Sequence, residues 1–114
     1  MSKPISKISF YFNAKNKKAV NFYNLIKSFI SQKYPKVIID NKKPDIVFVL
    51  GGDGAVIKAI KSFNYIHTLF FGLNLGNVGF LTSIRDSKKF LEGVDKLLSG
   101  NYFVSSHNLI KVAV

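Results

Sequence analysis

The sequence predicts an α/β fold in which a mainly parallel sheet lies between helices on both faces. Ile46–Leu50 is an unbroken apolar run behind Pro44, the pattern of a strand buried on both sides. Stretches with strand character alternate with stretches of helical period along the chain, as in layered α/β proteins. Two glycine segments, 51–54 and 72–79, each follow directly on a strand. In such sheets ligands bind beyond the carboxyl ends of the strands, so both segments should meet at one crevice.

Ile5–Phe12 alternates loosely through Ile8, Phe10 and Phe12 and reads as the first strand. Asn13–Lys15 is a polar turn, and Asn16 is placed to cap a helix. From Lys17 to Lys33, Ala19, Phe22, Leu25, Ile26, Phe29 and Ile30 fall on one helical face. Pro35 ends that helix, Val37–Ile39 is a short strand, and Asp40–Pro44 is a surface loop. The central strand follows, then the turn Gly51-Gly52-Asp53-Gly54. A helix with Val56, Ile57 and Ile60 at helical spacing runs on to about Phe63. Thr68–Phe71 is another buried strand, and it enters the second glycine segment. Gly72, Gly76 and Gly79 there suit a loop better than a strand interior. Asp86 or Ser87 opens the last helix, whose buried face is Phe90, Leu91, Val94, Leu97 and Leu98, with Gly100 at its C-terminal cap. Asn101–Val104 is a short strand. Leu109–Val114 is strand-like and is expected to leave an unpaired apolar edge prone to self-association.

A glycine turn feeding a helix has a chemical use. The first N–H groups of a helix lack intrahelical partners and carry partial positive charge. Glycine removes the Cβ atoms that would keep a phosphate away from them. Asp53 is the odd member, since a carboxylate repels phosphate. It points to a metal ion or to a hydroxyl that must be deprotonated beside the phosphate; the plain alternative is a tight turn with Asp53 as N-cap. The turn is neither a P-loop nor a dinucleotide fingerprint, because no G-x-x-x-x-G-K-[ST] run exists and Ile57 stands where a third glycine would be needed.

With 114 residues, 47% of them hydrophobic, and 11 Phe and 5 Tyr, the chain can build one real core. The formal charge of +11 invites a nucleic-acid reading. Of the 17 basic residues, however, only Arg85 is arginine, the residue that base and phosphate readers favour, and the lysines are scattered. No nucleic acid and no membrane is expected as partner. There is no cysteine, so thiolate metal sites and disulfides are excluded, and a cytoplasmic location is expected. His67 and His107 are solitary, and no protein-held metal site is expected.

The two glycine segments together resemble those of the NAD kinase family. Gly51-Gly52-Asp53-Gly54 is followed by Phe71-Gly72-Leu73-Asn74-Leu75-Gly76-Asn77-Val78-Gly79-Phe80-Leu81-Thr82. The family has a GGDG turn and, some 20 residues later, a G-x-N-x-G-x-x-G-F-L segment. Lipid kinases of the diacylglycerol and sphingosine type share the turn but continue with a G-T-x-N-D element that is absent here. Phosphofructokinases need further motifs that are also missing. The resemblance implies a Rossmann-like fold of the NAD kinase, diacylglycerol kinase and phosphofructokinase type. It implies ATP-dependent phosphorylation of the adenosine ribose 2′-hydroxyl of NAD, giving NADP, with Mg²⁺ as divalent cation and a homo-oligomer, dimer or tetramer. By position, Asp53 matches the proton acceptor. Gly51, Gly52, Gly54 and Lys58 match nucleotide-contacting positions, and Asn74, Gly76, Gly79 and Phe80 shape the crevice. Lys58 also reads simply as a solvated helix lysine like Lys61.

This sequence departs from the family in two ways. Ala55 stands where the family usually has Thr, which removes a hydroxyl near the phosphates. The family's second, β-rich domain, with an Asn-Glu or Asn-Asp motif that grips NAD, has no counterpart. Residues 1–104 are therefore expected to form the N-terminal nucleotide-binding domain, and 105–114 the start of that second domain. The alternatives are a lipid-kinase-like enzyme and a non-catalytic nucleotide-binding or interaction module.

Overall fold

The structure is a computed structural model and describes residues 4–63, 67–76, 84, 86–105 and 108–112. Strands β1 (Lys7–Phe12), β2 (Ile38–Ile39), β3 (Ile46–Gly51) and β4 (Leu69–Asn74) form one sheet in the order β2-β1-β3-β4. All three pairings are parallel. The β3 run sits in the middle, and Ile46–Leu50 are buried throughout. Its alternating side chains feed two cores. Ile46, Phe48 and Leu50 pack with α1 (Lys17–Lys33) and α3 (Phe90–Leu98); Val47 and Val49 pack with Val56 and Ala59 of α2 (Asp53–Ser62). Helices thus cover both faces, as the sequence predicts. Among the described residues, no helix is long and apolar enough to cross a membrane.

The helix ends follow local chemistry. The Asn16 side chain accepts from the N–H groups of Lys18 and Ala19, capping α1. Asp86 caps the 3-10 turn Ser87–Lys89 that leads into α3. Gly100 takes φ +91, and the bonds Asn101 N–H to Lys96 and Gly100 N–H to Leu97 complete a Schellman ending.

Two expectations are corrected. Gly72 is not in a loop: it lies inside β4, paired with Val49, and its carbonyl accepts from the Ile84 N–H at 3.1 Å. Ladder bonds on both sides outweigh the weak strand preference of glycine. The other concerns Leu109–Lys111, which is not an orphan edge. Ile110–Lys111 (β6) pairs antiparallel with Phe103–Val104 (β5), and Leu109 bridges Phe70 of β4. Leu109 and Ile110 are buried. Residues 113–114 of that expected strand lie outside the described residues.

The amino edge of the sheet is closed by polar ties. Asp45 Oδ2 accepts from the N–H groups of Ser6 and Lys7 at 3.0 Å each, and the buried Thr68 hydroxyl donates to the Pro44 carbonyl at 2.8 Å. Near the C-terminus of α1, the Tyr34 hydroxyl donates to Asp95 Oδ1 of α3 at 2.5 Å, and Lys33 Nζ lies 2.9 Å from the same oxygen. Burial, then the Asp95 hydrogen bond, pushes the Tyr34 phenol up to about 12. The Tyr34 bond, then Lys33, holds the Asp95 carboxyl below its ordinary range.

For Asp95, the folded value is depressed, so its contribution is present above the ordinary carboxylate range and fades as pH falls through it. The Tyr34 value is raised, so that contribution persists at neutral pH and is lost as pH rises from 10 toward about 12. Tyr34→Phe is expected to cost about 1 kcal/mol, or roughly 4 °C in Tm, and to flatten the loss of stability in acid. Thermal scans of both proteins at neutral and acid pH check this; equal Tm values at neutral pH would contradict it.

Candidate active site

At the carboxyl edge, the glycine turn after β3 meets residues 74–76 at the end of β4. Gly51, the last residue of β3, is in register with Asn74, the last residue of β4. The Leu75 N–H donates to the Gly51 carbonyl at 3.0 Å. Asn74 is buried, its N–H donates to the Ile84 carbonyl at 2.8 Å, and its Oδ1 accepts from the Gly76 N–H at 2.7 Å. Residues 74–76 are thereby held beside the glycine turn. Gly79 and Phe80 lie outside the described residues.

The glycines of the turn serve different ends. A Cβ on Gly51 would sit 2.7 Å from the Ala55 Cβ, too close for two carbons, and Ala55 has no flexible end that could retreat. Gly51 therefore lets α2 leave β3 tightly. Gly52 is the N-cap of α2, with an extended backbone (φ −119, ψ −162) that any residue adopts. A Cβ on Gly52 or on Gly54 would meet nothing within 4 Å. These two glycines leave open space over the start of α2, which is what an incoming anion needs. The ladder of α2 begins with the Val56 N–H on the Gly52 carbonyl at 3.2 Å, so the N–H groups before it belong to the unladdered first turn.

Asp53 is the first residue of α2, not its cap: Gly52 holds that position, with no side-chain cap bond. The charge of Asp53 suits the positive end of the helix, and its side chain is half-buried at the mouth of the turn. Lys58 is exposed on α2, one turn beyond Gly54 and away from the buried Val56 and Ala59. Gly76 is exposed beside the turn.

Gly51→Ala is expected to destabilise the fold by about 1–3 kcal/mol through overpacking. Adding Ala55→Gly should recover part of that loss by removing the facing methyl. Chemical denaturation of both variants checks this, and an unchanged midpoint for Gly51→Ala would refute the close approach.

One wall of the crevice is not evident from the sequence. The chain leaves β1 outward to β2 but leaves β3 in the opposite direction to β4. The sheet therefore changes direction between β1 and β3, where ligand crevices form in open α/β sheets. The loop Asn13–Asn16 and the first turn of α1 thus face the same crevice as the glycine turn. Strand order cannot be read along the chain. The available signal is Lys17-Lys18 at a helix start without any acidic residue in its first turn.

The profile of the ATP-NAD kinase N-terminal domain family matches residues 10–102. The chain is 34% identical over 95 residues to an NAD kinase of Buchnera aphidicola subsp. Schizaphis graminum, covering 81% of this chain and 32% of that protein. It is 32% identical over 90 residues to an NAD kinase of Rickettsia prowazekii, covering 79% and 32%. A match to an NAD kinase of Clostridium tetani has 34% identity over 67 residues, covering 59% and 24%. The chain thus spans about a third of the length, or less, of these curated relatives. With a profile matching residues 10–102, and with Gly51 of the glycine turn in register with Asn74 at one sheet edge, the chain belongs to the ATP-NAD kinase N-terminal domain family.

Proposed function

We propose that this chain is the nucleotide-binding part of an NAD kinase, which transfers a phosphoryl group from ATP to the 2′-hydroxyl of the adenosine ribose of NAD. The observation that supports this reading is the register of Gly51 with Asn74, which sets the ends of β3 and β4 side by side at one sheet edge. Family membership and relatives called NAD kinases support it.

Phosphoryl transfer is mostly positioning and charge neutralisation. The open start of α2 presents backbone N–H groups and the positive end of its dipole to phosphate oxygens. Gly52 and Gly54 keep that approach clear, and Lys58 adds a cation one turn along. Ala55 offers a backbone N–H in place of the hydroxyl usual at that position. Asp53 accepts the ribose hydroxyl proton late in the transfer. Asn74 and Gly76 shape the opposite wall; Gly79 and Phe80 join the proposed site on the family resemblance alone.

Among the described residues, no group of three or more His, Cys, Asp or Glu could hold a metal ion. One carboxylate at the turn, Asp53, suits a Mg²⁺ ion that keeps its waters and arrives on the nucleotide phosphates. When bound, that ion neutralises developing charge on the transferred group.

The acceptor grip is assigned to a second, β-rich domain beginning at about residue 105, in a cytoplasmic homo-oligomer, dimer or tetramer, that binds small nucleotides and neither nucleic acid nor membrane. NADP formation by the full-length protein from NAD, with ATP or polyphosphate as donor and with diacylglycerol as a competing acceptor, tests the reading. Phosphorylation of the lipid without NADP would overturn it.

A further inference from the structure

The first turn of α1 stands at the crevice, and one of its side chains crosses to the second loop. Lys18 Nζ donates to the Leu75 carbonyl at 3.2 Å, across 57 positions of sequence. Leu75 also donates its own N–H to the Gly51 carbonyl at 3.0 Å. Both backbone polar groups of Leu75 are thus held, one from α1 and one from the glycine turn. On either side of it, the Gly76 N–H is bonded to Asn74 Oδ1 at 2.7 Å. We propose that Lys18 is a positioning residue of the candidate site, fixing Leu75, and with it Gly76, against the glycine turn.

The helix itself gives Lys18 no reason to be there. Asn16 already caps the N–H groups of Lys18 and Ala19, at 3.0 and 3.2 Å. A cation in the first turn opposes the helix dipole, and α1 has no acidic residue there to offset it. The Lys18 side chain is exposed and adds nothing to the core. What it does is tie the start of α1 to Leu75, which is itself bonded to Gly51 at the end of β3. A neutral chain of similar length should therefore leave the fold as stable, or more so, while loosening the loop. The kinetic part of this proposal rests on the phosphotransfer reading above; the structural part does not.

The test compares Lys18→Met and Lys18→Arg with the parent in the full-length protein, using amide hydrogen exchange, Tm and NADP formation from ATP and NAD. In Lys18→Met, exchange at Leu75 and Gly76 is expected to speed up about tenfold, with Tm unchanged or raised. The kcat is expected to fall about tenfold with little change in KM, since slight misplacement of reacting groups reduces turnover more than binding. Lys18→Arg should restore both. Unchanged exchange at Leu75 and Gly76 overturns the proposal whatever the activity. So does a loss of kcat that accompanies a lowered Tm, because Lys18 would then be merely structural. If the parent makes no NADP, the phosphotransfer reading fails, and exchange at these two amides alone decides the role of Lys18.

Discussion

Asp53→Asn in the full-length protein is expected to lower kcat by about 10²–10⁴-fold, the range that a positioned general base contributes. The substitution keeps the shape of the side chain at the first position of α2 and removes its charge and basicity. A ribose hydroxyl is a weak acid, and its attack on phosphorus leaves a proton that must go to a nearby acceptor. Asp53 is the carboxylate that the turn itself presents, half-buried where β3 hands over to α2. Gly52, not Asp53, caps the helix, and the interaction of the Asp53 charge with the helix dipole is about 0.3–1 kcal/mol, small beside the effect on the chemistry. The expected signature is therefore a large fall in kcat with a Tm lowered by only a few degrees. Initial rates at saturating ATP and NAD, beside thermal unfolding, make the measurement. Turnover within a few-fold of the parent would remove Asp53 from the proton-acceptor role. Collapse of the fold would instead place Asp53 in the stability of the turn.

Much of this fold could be read along the chain because the signals were local. Asn16, Pro35 and Gly100 mark helix ends by their own backbone chemistry, and the structure uses Asn16 and Gly100 as caps. The Ile46–Leu50 run behind Pro44 reads as a strand buried on both faces, and its alternate residues feed two separate cores. The parts that depart from the sequence pattern depend on neighbours distant in sequence. Gly72 has the local look of a loop, yet it is a strand residue because Val49 and Ile84 pair with it. Leu109 and Ile110 looked unpartnered because β5 and Phe70 lie elsewhere in the sequence. The candidate site divides in the same way. The Gly51–Gly54 turn is contiguous and was legible. Its different uses of glycine were not, since the clash at Gly51 involves a side chain one helical turn away. The wall contributed by α1 depends on strand order, which single-sequence patterns do not encode.

Residues 1–114 by themselves are expected to form no NADP at a useful rate from ATP and NAD, although they fold. The chain carries the phosphate turn and the proton acceptor proposed above, yet it spans only about a third of its NAD kinase relatives. On the reading proposed here, the groups that grip NAD lie in the remaining length. Holding two reactants in alignment contributes roughly 7–11 kcal/mol to the lowering of a barrier. Neither Lys58 nor the first N–H groups of α2 can replace that, because they address phosphate and not the acceptor ribose. The fold should survive the separation. The sheet has helices on both faces, and Leu109 and Ile110 close the far side of β4. Phe103 and Val104 of β5 nonetheless remain exposed, at 62% and 47%. Their solvent-facing surface, and not Leu109–Lys111, is where any self-association of residues 1–114 should begin. The measurement is NADP formation by residues 1–114 and by the full-length protein at equal concentration, with circular dichroism to confirm that both are folded and light scattering to give their mass. Comparable rates from the two would show that the acceptor is held within residues 1–114 and would overturn the division of labour proposed here. A folded but inactive 1–114 whose tendency to associate falls in Phe103→Ser would support both the division and the exposed β5 surface.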